Sequence, residues 1–137
     1  MITLEEYVGP HGRSKDWSEV RKYNAVSLLE ACDKLEAYAV ADGVEFPENP
    51  VTKSGVSGQT FGGFRPQDCP QGAPNSSHKE GQAVDRYDPG NKIDDWCLAN
   101  LEKLVECGIY IEHPTATVGW SHWTIRAPKS GRRVFYP

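Results

Sequence analysis

The longest regular pattern in the chain, DWSEVRKYNAVSLLEACDKLEAYAVADG over residues 16–43, sets the first limit on the fold. Val20, Tyr23, Leu28, Cys32, Leu35 and Tyr38 recur at near three-to-four spacing, Asp16 and Glu19 resemble a capping box, and Gly43 suits a left-handed stop. This spacing predicts one long amphipathic helix. A second is predicted over KIDDWCLANLEKLVECG, residues 92–108, where Ile93, Trp96, Leu101, Leu104 and Val105 share a face, Asp94 and Asp95 enter the first turn and Gly108 ends it. Trp96 reads as core at this spacing. Between and after the helices lie short runs with strand character at 59–65, 83–88, 108–113 and 119–127. Strands segregated from helices, without regular alternation, predict an α+β fold with a small, mostly antiparallel sheet flanked by helices.

The 137 residues suit a single domain, 1–137, with one hydrophobic core. A net charge of −4 and no Lys/Arg cluster before the last ten residues argue against a protein that grips nucleic acid by its phosphates. No stretch approaches the ~20 apolar residues of a membrane span, and the N-terminus lacks the basic start and apolar run of an export signal. The expectation is a soluble protein, by default a monomer. Cys32, Cys69, Cys97 and Cys107 lie too far apart for CxxC metal spacing and read as reduced, buried side chains.

Chemistry concentrates in SSHKEGQAVD, residues 76–85, which follows the proline-rich loop RPQDCPQGAPN. On one helix, His78 and Asp85 would stand about 10.5 Å apart along the axis, too far to share an ion. A turn at Gly81 leading into a strand at Ala83 would instead let His78 on the incoming arm face Asp85 on the outgoing one, within reach of one zinc ion. Taken alone, the pair is also the commoner pattern of a surface histidine near a turn aspartate. The third ligand has three candidates, His11, His113 and His122. His122 sits in GWSHWT, where period-two alternation puts Trp120, His122 and Thr124 on one face of a strand, a pattern equally open to a satisfied core histidine.

Taken together, NSSHKEGQAVD and the downstream WSHW resemble the zinc peptidases of the D-Ala-D-Ala carboxypeptidase class, peptidase family M15, whose pattern is S-x-H-x-x-G-x-A-x-D and then, after a helix, W-x-H. Ser76, His78, Gly81, Ala83, Asp85, Trp120 and His122 match it, and GGFRP is similar to that family's arginine-bearing strand at Arg65. The resemblance covers roughly residues 55–125, and the tail is similar to small phage-encoded members. It implies a hedgehog/DD-peptidase-like fold holding Zn2+ through His78, Asp85 and His122. It further implies hydrolysis of bacterial peptidoglycan stem peptides, as carboxypeptidase or endopeptidase, by a phage endolysin or virion-associated lysin acting at the cell wall.

Under this resemblance Arg65 binds a substrate carboxylate or steadies the oxyanion, while Ser76 and Trp120 contact substrate, Ser76 with Asn75 also supporting the ligand loop. One departure concerns the general base. Many members carry Asp or Glu three residues before the last histidine, where this chain has Gly119. Glu112 is the expected substitute, brought beside His122 by a hairpin through HPTATVG, and His113 is its rival. The missing acid also leaves open a non-catalytic zinc-binding domain of the same fold, with a binding or structural role.

Overall fold

The structure, a computed structural model, describes residues 1–58 and 61–137. It is an α+β fold with four α-helices and one four-stranded mixed sheet. The elements run α1 (Leu4–Val8), α2 (Glu19–Ala41), β1 (Ala83–Tyr87), α3 (Lys92–Ala99), α4 (Leu101–Cys107), β2 (Tyr110–Glu112), β3 (Trp120–Thr124) and β4 (Val134–Phe135). The sheet order is β1-β3-β2-β4, with β1-β3 and β3-β2 antiparallel and β2-β4 parallel. None of the described helices is long and apolar enough to cross a membrane.

The long helix forms where its pattern predicts, with two corrections. Its N-cap is Ser18, whose side chain accepts from the Arg21 amide, rather than Asp16. Its buried face is Ala25, Leu28, Leu29, Cys32, Leu35, Glu36 and Ala39, whereas Val20 and Tyr23 stand exposed. Tyr23 lies two residues, about 200° of helix, from Ala25 and so faces away from the core, while Gly81, which follows the 3₁₀ turn Ser77–Glu80, abuts the helix at Arg21 and Ala25. Close backbone approach there suits a small residue, Ala25. Glu36 is buried in an ion pair with Arg86 of β1, whose guanidinium also lies over the rings of Phe46 and Trp123.

The second predicted helix is broken in two at Asn100, which leaves helical geometry at φ −134° and ψ 48° while its side chain donates back to the Trp96 carbonyl. The break rotates the second half, so Leu104 is buried but Leu101 and Val105 are exposed. Trp96 is core, as expected, with its indole N–H donating to Asp42. At the head of α3 the capping is done by Asp88, whose two carboxylate oxygens accept from the Ile93 and Asp94 amides.

Of the four expected strands, three form. Gln59 and Thr60 of the run expected at 59–65 lie outside the described residues, and residues 61–65 form no strand. Backbone crowding is the reason: a Cβ at residue 63 would stand 2.0 Å from the Tyr7 carbonyl oxygen of α1 and one at residue 62 would stand 1.7 Å from the Ser57 carbonyl oxygen, so the two glycines pack main chain against main chain instead of pleating. Ser57 and Gly62 still bond to β1, Ser57 N to Asp85 O at 2.8 Å and Asp85 N to Gly62 O at 2.7 Å. β4 was not foreseen in the tail; Arg133 O and Phe135 O accept from the Ile111 and His113 amides on either side of Glu112.

One core, including Leu28, Leu35, Phe64, Val84, Ile93, Leu104, Ile111 and Trp123, fills the space between the helices and one face of the sheet. The four cysteines are unpaired and buried, as expected. Burial pushes the Cys32 thiol up to about 12, which keeps it protonated and inert.

Candidate metal centre

Register places the site. In the β1-β3 ladder Asp85 is the direct partner of His122, so their side chains rise from the same face of adjacent strands. That face points away from the core, which takes the alternate residues Val84 and Trp123. His78 enters from the preceding 3₁₀ turn, begun by Ser76, whose hydroxyl accepts from the His78 amide at 3.3 Å, and closed by Gly81 at φ 72°. The chain therefore turns at Gly81 and enters a strand at Ala83.

The ligating atoms of His78, Asp85 and His122 lie within 4.8 Å of one another, all three residues being buried, close enough to hold one metal ion. Asp85 Oδ1 is the meeting point, 3.3 Å from His78 Nε2 and 2.9 Å from His122 Nδ1. The other oxygen, Oδ2, accepts from Arg65 Nη2 at 3.3 Å. His78 Nδ1 lies 2.8 Å from the Gly63 carbonyl oxygen. A carbonyl only accepts, so Nδ1 carries a proton and Nε2 is the nitrogen turned toward Asp85.

The electrostatics favour a ligand set. Burial opposes ionisation of Asp85, but the two imidazoles outweigh it and hold the carboxyl well below the usual carboxylate range. Burial also lowers the pKa of His78, against the upward pull of Asp85. For His122 burial acts in the same downward sense, yet the Asp85 hydrogen bond and charge, aided by Glu112, shift it upward instead.

The remaining expected residues converge on the same place. A cavity of about 360 Å³ is lined by Arg65, Ser76, Glu112 and Trp120 together with the three clustered residues. Glu112 ends β2, and its Oε1 stands 3.8 Å from His122 Nε2, so the hairpin brings the acid beside the histidine. It needs a 3₁₀ turn, Pro114–Ala116, to do so. His113 is not among the residues lining the cavity; its ring stacks on Tyr136 at 4.7 Å. Asn75 serves the ligand loop through its backbone, its carbonyl accepting from Arg126.

Two contributors were not read from the sequence. Phe135 of β4 presents its ring edge-on to His122, centroids 6.2 Å apart, and lines the cavity with Pro137. The Gly63 carbonyl, which sets the His78 tautomer, is main chain and left no side-chain signal. A larger cleft of about 610 Å³, bordered by Asp42, Glu45, Asp88 and Asp95, contains none of the clustered histidines.

No family model, curated protein or solved structure matches the chain. What the fold and site define together is a small α+β protein with a buried His-Asp-His group able to hold a metal ion.

Proposed function

We propose that this chain is a zinc-dependent peptidase that hydrolyses peptide bonds in the stem peptides of bacterial peptidoglycan, as a carboxypeptidase or endopeptidase of the endolysin or virion-associated kind. The observation that carries the reading is the convergence of His78, Asp85 and His122 in a cavity that also holds a carboxylate, Glu112, and a guanidinium, Arg65. Two imidazole nitrogens and one carboxylate oxygen are a donor set suited to catalytic zinc, which keeps a fourth position open. The substrate class rests on the similarity of SSHKEGQAVD and WSHW to the M15 pattern.

Zinc bound there supplies Lewis acidity for polarising the scissile carbonyl and activating water. The chain's own groups do the rest. Glu112 takes the proton of the attacking water and returns it to the leaving amine, a transfer typically worth about a hundred- to ten-thousandfold in rate. Arg65 donates to the oxygen on which negative charge develops. Ser76 and Trp120 border the space in which the peptide rests.

The test is digestion of purified peptidoglycan by the zinc-loaded protein, with mass analysis of released fragments and a chelator-treated control. New peptide termini in the zinc sample alone support the reading. Folded, zinc-loaded protein that releases nothing overturns it in favour of the non-catalytic zinc domain, the reading that Gly119 favours.

A further inference from the structure

We infer that Arg65 is a positioning residue for the metal-binding carboxylate: by holding Asp85 Oδ2 it leaves Oδ1 as the single oxygen turned toward the two imidazoles. The inference rests on the zinc reading above, but it assigns Arg65 a task that precedes any contact with substrate.

Two of the three guanidinium nitrogens are already engaged. Nε donates to the Phe61 carbonyl at 2.7 Å and Nη2 donates to Asp85 Oδ2 at 3.3 Å. Both side chains of this pair are almost fully withdrawn from solvent, 13% and 11% exposed. The backbone locks the same arrangement, since the Arg65 amide donates to the His78 carbonyl at 3.2 Å. Arg65 thus bridges two of the three clustered residues, one through its main chain and one through its side chain.

A carboxylate has two equivalent oxygens and a soft terminal torsion, so an unrestrained Asp85 could offer either oxygen, or both, to an ion. Here the two oxygens have different partners: Oδ1 faces His78 Nε2 and His122 Nδ1, and Oδ2 faces Arg65. The planar fork fixes the direction of that contact as a lysine ammonium would not. A cation beside a cation site carries an electrostatic penalty, so charge alone gives no reason for an arginine here. Orientation does. Partners of this kind typically affect metal affinity by about 10- to 100-fold.

Arg65→Lys keeps the charge and removes the fork, which separates orientation from electrostatics. Gly72→Ala presses on the same contact from outside: a Cβ there would stand 2.7 Å from Arg65 Nη1, the free end of a flexible side chain, at a position whose own φ of 79° strains an L-residue, so that the guanidinium must shift. Each full-length variant is compared with wild type by zinc competition against a chromophoric chelator, and by the visible absorption of cobalt(II), which reports the number and geometry of ligands. Arg65→Lys is expected to weaken zinc binding at least tenfold, following the lower end of the range above. Both variants are expected to change the cobalt spectrum. Zinc affinity within about threefold of wild type together with an unaltered cobalt spectrum, in either variant that folds by circular dichroism, overturns the inference. Wild-type protein that takes up neither metal overturns the zinc reading itself and this inference with it.

Discussion

Gly81 carries two constraints at once, and its replacement by alanine measures both. Its backbone lies at φ 72° and ψ 24°, where an L-residue with a Cβ costs about 1–2 kcal/mol. A Cβ at this position would also stand 2.6 Å from the Arg21 carbonyl oxygen and 3.4 Å from its carbon, both of them main chain of α2. Helix backbone cannot swing aside as a side-chain tip can, so the 3₁₀ turn must retreat; forced overpacking of this kind costs about 1–3 kcal/mol. The sum, roughly 2–5 kcal/mol, is a large part of the 5–15 kcal/mol that holds a domain together. Gly108→Ala is the matched control, because Gly108 also lies at φ 72° but a Cβ there meets nothing within 4 Å. It should lose only the conformational share, about 1–2 kcal/mol. Urea unfolding of metal-free protein reads both, since bound metal would add its own stabilisation. With m near 2 kcal/mol/M, the middle of the usual range, Gly81→Ala should lower the midpoint by about 1–2.5 M, and Gly108→Ala by about 0.5–1 M. Equal losses in the two variants would refute the contact with α2, and a loss under about 0.5 kcal/mol at Gly81 would refute the whole account.

Three other outcomes are expected. Dialysed protein should hold about one zinc per chain by elemental analysis, and His78→Ala and His122→Ala should each lose it while folding normally by circular dichroism; full occupancy in either would remove that histidine from the ligand set. Glu112→Gln should keep zinc, because the amide oxygen can still face His122 Nε2, yet lose at least a hundredfold in wall-cleaving rate; normal lysis would remove Glu112 from proton transfer. Asp94 is fully buried, and burial, joined by the charges of Asp88 and Asp95 and only partly offset by the Ser121 and Thr117 hydroxyls, pushes its carboxyl up from 3.8 to about 6. The folded state therefore keeps a proton that the unfolded state has lost, so stability falls as pH rises from about 4 to about 6 and levels off above. Asp94→Asn should flatten that slope and add on the order of 1–3 kcal/mol at pH 7 by denaturant unfolding; an unchanged pH dependence would contradict it.

The parts of the fold that sequence periodicity discloses are those in which one residue type faces one environment. The α+β class, β1, β2 and β3 followed from alternation and turn residues, and the buried stretch Leu28–Cys32–Leu35 from helical spacing. Where contact comes from backbone rather than side chain, the pattern misled. Ala25 is fully buried because the Gly81 turn needs a small neighbour, yet Tyr23 carries the stronger apolar signal and is exposed. Asn100 looks neutral within a helical run, but its amide competes for the Trp96 carbonyl and divides the helix. β4 has only two residues and is held by pairing with β2 from a distance in sequence, an arrangement with no local signature.

The site was more legible than the fold, and the reason is register. Asp85 and His122 are cross-strand partners, and the residues flanking each, Val84 and Trp123, are fully buried on the opposite face. A slip of one residue by β1 would exchange the faces of that strand, turning Val84 toward the cavity and Asp85 into the core, and a slip by β3 would do the same to Trp123 and His122. Either slip would expel a fully buried apolar side chain and bury a polar one in its place, and that cost fixes the register. The alternation that identifies the core face therefore also determines which polar residues meet on the other side. It does not reveal what restrains them once there. Arg65, Gly63 and Phe135 come from irregular or late segments, and each acts through a direction in space: a guanidinium on Oδ2, a carbonyl on Nδ1, a ring edge against an imidazole. Alternation can place donor atoms on one face of a sheet, but their orientation is set by neighbours outside the two strands that carry them.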